Sequence, residues 1–179
     1  MTARVLVVDD IPANVKLLEA RLSAEYFDVV TAYSGREALE VCAHERIDVV
    51  LLDVMMPGMD GFEVCRQLKS NPVTQHIPVV MVTALDQPSD KIQGLEAGAD
   101  DFLTKPVDDI ALITRVRNLG RLKMLNDEIL MRAETRARMG LAPDDLADAV
   151  SVERGRILLV DDSQRSARRL VEMLARTHE

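Results

Sequence analysis

The sequence predicts an α/β fold: a doubly wound, five-stranded parallel sheet with a long C-terminal helix and a truncated second βα unit. Three observations predict it. Short apolar runs alternate with helix-period segments five times in about 120 residues, joined by connections too long for hairpins. The runs are continuous rather than alternating, as expected of strands buried on both faces. Asp9-Asp10, Asp53, Thr83 and Lys105 each stand at or just after the end of a run, so parallel strands would gather them at one edge.

The first run, Arg4-Val5-Leu6-Val7-Val8, ends in Asp9-Asp10. Pro12 follows at a helix-start position, and Val15, Leu18 and Leu22 mark one face of a helix over 13–24. A short strand over 28–31 leads to Ser34-Gly35 and a helix carrying Ala38, Leu39 and Cys42. The third run, Val49-Val50-Leu51-Leu52, ends at Asp53, and Pro57, Gly58 and Gly61 then turn the chain. Taken alone, Asp53 reads equally well as a plain strand end or turn cap. Asp60 can cap the next helix, whose Phe62, Val64, Cys65 and Leu68 point inward. Asn71-Pro72 breaks that helix, and Pro78 opens a fourth strand, Val79-Val80-Met81-Val82, ending at Thr83-Ala84. A helix over 88–97 stops at Gly98, and a fifth strand over 101–103 ends at Lys105-Pro106.

From there a helical pattern runs over 107–139, about 50 Å if continuous. Ile110, Ile113, Val116 and Leu119 supply the face expected to cover the sheet. Gly120 is a weak point, costing about 1 kcal/mol relative to Ala. Residues 126–138 are strongly charged but keep Ile129 and Leu130, as a connecting arm would, and 140–155 read as a linker. The chain then repeats itself: Arg156-Ile157-Leu158-Leu159-Val160-Asp161-Asp162 copies Arg4 to Asp10 at an offset of 152 positions. The expected division is a first domain over 1–122, a helical arm and linker over 123–155, and a truncated second copy over 156–179. The strand of that copy, 157–160, is expected to pack against protein, with Asp161 and Asp162 forming no site of their own.

Composition narrows the class. The 179 residues are 47% hydrophobic but only 3% aromatic and contain no Trp, so Val, Leu, Ile, Met and Ala must build the core. A net charge of −8 argues against bulk nucleic-acid binding. Cys42 and Cys65 lack metal-ligand spacing and read as buried thiols in a reducing compartment. The apolar run at the N-terminus is too short for a signal peptide, and no stretch approaches a membrane span. A cytoplasmic protein is expected.

The chemistry lies at the shared edge. Three carboxylates there repel one another unless a cation intervenes, and oxygen-only donors suit Mg²⁺. Lys105 adds a mobile positive charge and Thr83 a hydroxyl. Together they give Asp53 what an aspartyl nucleophile for phosphoryl transfer needs, neutralised charge and positioning. Each residue has a plainer reading: Asp9-Asp10 as helix capping, Lys105 as a surface lysine, Thr83 as nothing in particular. Four strand ends all carrying the required type make the joint signal strong. No GxGxxG, Walker loop, HExxH or CxxC occurs, and Gly58 and Gly61 suit the turn better than a phosphate cradle. His44 and His76 lie away from the strand ends and read as surface residues.

VLVVDD, LLDVMMPGMDG, VVMVTA and FLTKP, in this order and spacing, resemble the receiver domain of bacterial two-component response regulators. The resemblance covers Arg4 to about Leu122 and implies the flavodoxin-like strand order 2-1-3-4-5. It implies that Asp53 accepts a phosphoryl group from a histidine kinase or histidine phosphotransfer protein. It further implies that Asp10, Asp53 and the backbone carbonyl of Met55 hold Mg²⁺, with Asp9 acting through water. Thr83 and Lys105 would bind the phosphoryl group. Phe102 would be the switch aromatic, working by burial alone because it lacks a hydroxyl. Self-association on phosphorylation is expected through the face formed by the fourth helix, fifth strand and long helix.

GFEVCRQLK, HIPVVMVTALD and KIQGLEAGADDFLTKP, with the second VDD repeat, are similar to PleD-type regulators. These carry two receivers in tandem and then a GGDEF domain that makes cyclic di-GMP. No GGDEF string occurs in this chain, so the resemblance implies a regulatory phosphoprotein whose diguanylate cyclase output lies in a parent protein. Two other readings stand beside it: an adaptor that works by docking, and an aspartyl-nucleophile phosphohydrolase. The latter usually carries an acid two residues after the nucleophile, where this chain has Met55.

Overall fold

Residues 3–84 and 88–138 are described in the computed structural model of the chain, and within them the apolar runs form five strands. These are β1 (Arg4–Val8), β2 (Asp28–Ala32), β3 (Val49–Asp53), β4 (Val79–Thr83) and β5 (Asp101–Thr104). The helices are α1 (Pro12–Ala24), α2 (Gly35–His44), α3 (Gly61–Ser70), α4 (Pro88–Glu96) and α5 (Asp109–Arg138). All strand pairs are parallel and the sheet order is β2-β1-β3-β4-β5, the expected doubly wound arrangement.

Residue alternation along the strands divides the core into two layers. On one face Leu6, Val8, Val50, Leu52 and Met81 meet Ala38 and Cys42 of α2 and Phe62, Val64, Cys65 and Leu68 of α3. On the other, Val5, Val7, Val49, Leu51, Val80 and Val82 meet Val15, Leu18 and Leu22 of α1 and Leu112 and Val116 of α5. Both cysteines are buried, and burial pushes their thiols up to about 12 for Cys42 and about 11 for Cys65. His44 and His76 are exposed.

Local signals set the helix starts. Asp60 caps α3, its Oδ1 accepting from the Glu63 N–H at 2.8 Å. Ser34 caps α2 through the Glu37 N–H, while the Glu37 carboxylate accepts from the Tyr33 N–H at 2.7 Å.

Two features of α5 differ from expectation. Ile110 is 78% exposed, whereas Leu112 and Val116 are fully buried. Ile110 lies two residues before Leu112, about 200° round the helix, so it faces away from the sheet. Gly120 is more than a weak point: a Cβ there would lie 3.2 Å from Ala3 Cβ and 3.6 Å from Val49 Cγ2. Its missing side chain lets the helix approach the sheet closely.

The chain divides into two compact units, Met1–Ile129 and Leu130–Glu179. The first contains the sheet; the described residues of the second are the last turns of α5. The linker expected over 140–155 and the repeat over 156–179, with its packed strand, lie outside the described residues. Among the described residues, no helix is long and apolar enough to cross a membrane.

Candidate functional site

Parallel pairing brings the sequence-singled residues to the carboxyl edge of the sheet. Val8 pairs with Leu52, placing Asp9 and Asp10 beside Asp53, which is itself the last residue of β3 and pairs with Val82. Thr83 ends β4, and its carbonyl accepts the Lys105 backbone N–H at 2.8 Å, tying the two strand ends together. Asp9, Asp53 and Thr83 are buried, while Asp10 and Lys105 are half-buried.

A carboxylate oxygen from each of Asp9, Asp10 and Asp53 falls within 4.8 Å of the other two. Lys105 Nζ bridges two of these acids, 2.6 Å from Asp53 Oδ1 and 2.8 Å from Asp9 Oδ2. Burial raises the Asp53 carboxyl above its ordinary value. The Lys105 hydrogen bond and charge oppose that rise, and Asp9 and Asp10 reinforce it. Burial also works against the charged form of Lys105, but its bonds to Asp53 and Asp9 prevail and hold it above the usual lysine value. The lysine stays protonated, yet one ammonium does not neutralise three acids.

The β3–α3 turn keeps this edge open. Gly61 N–H returns to the Val54 carbonyl at 3.0 Å, and Gly58 adopts φ +81. A Cβ on Gly61 would sit 2.3 Å from the Asp53 carbonyl oxygen, so only glycine lets α3 start against the end of β3. Met55, in this turn, is 65% exposed. Phe102 on β5 is half-buried and packs toward the layer containing Met81.

Sequence reasoning missed Asn14. From the first turn of α1 its Nδ2 donates to both oxygens of Asp9, at 3.0 and 2.9 Å. The signal that could have found it is a polar residue four positions after an acidic pair, on the turn facing the strand end.

The donor set is all oxygen, two of its three acids buried, and short of positive charge, which fits a hard divalent cation such as Mg²⁺. A parallel sheet in this order, with an acid ending its central strand and a lysine reaching it from the fifth, defines a signalling receiver. Residues 5–117 match the response regulator receiver domain family, and the chain belongs to it.

It is similar to Response regulator PleD of Caulobacter vibrioides, 54% identical over 178 residues. That alignment covers 99% of this chain and 39% of the relative's length. Among solved structures, the signal receiver domain of a signal transduction histidine kinase from Syntrophus aciditrophicus is 38% identical, with a TM-score of 0.63. That match covers 67% of this chain and 91% of the other. The receiver domain of a sensor histidine kinase from Pseudomonas aeruginosa PAO1, with a magnesium ion coordinated in its active site cleft, is 26% identical. Its TM-score is 0.63, over 67% of this chain and 98% of that one. Asp9, Asp10 and Asp53 form the acidic pocket typical of receiver domains, which belong to two-component systems and are regulatory.

Proposed function

We propose that Asp53 accepts a phosphoryl group from a histidine kinase or histidine phosphotransfer protein. The observation carrying this reading is the Lys105 ammonium, bridged between Asp53 and Asp9 inside a three-carboxylate cluster. An Asp53 carboxylate oxygen attacks phosphorus. A P–O bond forms, the P–N bond of the phosphohistidine breaks, and its electron pair leaves on the imidazole nitrogen, which takes up a proton. Mg²⁺, when bound, neutralises charge on the phosphoryl oxygens. Asp10, Asp53 and the Met55 carbonyl would hold it, with Asp9 acting through water. Lys105 turns from the carboxylate to a phosphoryl oxygen, and the Thr83 hydroxyl donates to another.

Downstream, Phe102 is the switch aromatic, and phosphorylation promotes self-association and controls a diguanylate cyclase output in a longer cytoplasmic protein. In that protein 1–122 is the first receiver, 123–155 the arm and linker, and 156–179 the opening of a second receiver. Sequence similarity to PleD, which this chain spans for 39% of its length, supports this role in cyclic di-GMP signalling.

The site is tested by incubation with acetyl phosphate and Mg²⁺, read by intact mass. One phosphoryl group is expected on the wild type and none on Asp53→Asn. Labelling of that variant at the wild-type rate refutes the assignment.

A further inference from the structure

Asp9 is held in a way the other two acids need not be. It is 1% exposed, and its two oxygens receive four donor contacts from the protein. Oδ1 accepts the Ile11 N–H at 2.9 Å and Asn14 Nδ2 at 3.0 Å. Oδ2 accepts Lys105 Nζ at 2.8 Å and Asn14 Nδ2 at 2.9 Å. An ionised carboxylate only accepts, so the Asn14 amide must present its NH₂ to it, and about four lone-pair positions are all there are. A cation entering between Asp9, Asp10 and Asp53 meets an Asp9 whose acceptor capacity is already used. Direct coordination by Asp9 would require displacing a protein donor.

We infer that Asn14 is a positioning residue that keeps Asp9 out of direct coordination and thereby sets the site's preference for Mg²⁺ over larger cations. This rests on reading the acidic cluster as a cation site. Mg²⁺ is small and keeps several waters, so it is served by few direct carboxylates and an acid that receives hydrogen bonds from its waters. Ca²⁺ takes six to eight oxygens in flexible geometry and gains more from an added direct carboxylate. Lys105 cannot do this holding alone, because it is shared with Asp53. The Ile11 N–H touches only Oδ1. Asn14 is the group that spans both oxygens and fixes the plane of the carboxylate.

The test is titration calorimetry of the whole chain with Mg²⁺ and with Ca²⁺, without phosphodonor. Asn14→Ala is expected to raise the ratio of Ca²⁺ to Mg²⁺ affinity about tenfold, the lower end of what loss of an outer hydrogen-bond partner does to metal binding. Asn14→Gln, which keeps the amide donor, should bring the ratio back toward wild type. Thermal melting in cation-free buffer confirms that the variants fold. An unchanged ratio in Asn14→Ala, or a shift that Asn14→Gln leaves uncorrected, overturns the role of the amide. Asp10→Ala separates this from failure of the underlying reading. If Mg²⁺ binds equally well without Asp10, the cluster is not the cation site and both fall.

Discussion

Phe102 lies directly over Gly94. A Cβ built on that glycine of α4 would come within 2.5 Å of Phe102 Cε1 and 2.7 Å of Cζ, and 2.9 Å from Met81 Sδ. The half-buried ring therefore occupies a recess that exists only because α4 carries no side chain there. Gly94→Ala closes that recess. The expected result is expulsion of the ring and a loss of roughly 1–3 kcal/mol, the usual cost of overpacking, despite the better helix propensity of alanine. Chemical denaturation measures the loss, and the aromatic NMR signals of Phe102 report the displacement. A variant as stable as wild type with unmoved signals contradicts the recess.

Ile92 and Leu95 on α4 are 56% and 60% exposed, and Ile110 at the start of α5 is 78% exposed. A phosphoryl mimic that favours one of two packings at Thr83 and Phe102 would shift the population presenting these apolar side chains. Adding fluoroberyllate with Mg²⁺ is expected to promote self-association. Sedimentation showing equal mass with and without the mimic, over a wide concentration range, excludes that response.

Burial of Asp53 also sets a pH dependence. Asp53 has a carboxyl raised by burial, so the folded chain binds its proton more tightly than the unfolded chain does. Stability then falls as pH rises from the ordinary carboxylate value through the raised one, and the full penalty applies above it. Asp53→Asn removes a charge that has to be buried. In cation-free buffer at neutral pH it should melt higher than wild type. About 1 kcal/mol corresponds to a shift of some 2–4 °C in a chain of this size. The difference should shrink toward acid pH, and Mg²⁺ should reduce it by stabilising only the wild type. A neutral-pH melting point at or below wild type would show that Lys105 already compensates the acid in full.

Three of the five strands, β1, β3 and β4, were legible because they are buried on both faces, which leaves continuous apolar runs that end abruptly at polar residues. The edge residues followed from the same pattern, since parallel strands deliver their carboxyl ends together. What escaped was set by three-dimensional proximity or helix phase. Asn14 reaches back across a turn to Asp9. Gly120 and Gly94 are absences that matter only because Ala3, Val49 and Phe102 lie opposite them. Ile110 stands at helical spacing from Ile113, yet the buried line of the helix runs through Leu112 and Val116.

The order of the sheet has a mechanical consequence. Asp9, Asp53 and Thr83 stand on or just after strands clasped by a neighbour on either side, whereas Phe102 lies on β5 and Lys105 just after it, and β5 is paired within the sheet only with β4. Asp53, the proposed acceptor, is thus the stator of the device, bolted into its middle. A dianion added to Asp53 would meet a backbone paired on both sides, and the displacement is expected at the margin, where the pairing runs along one side only. On the proposed function, sensing sits where the sheet is paired on both sides and signalling at an edge, so the signal is expected to leave the domain on the side of β5.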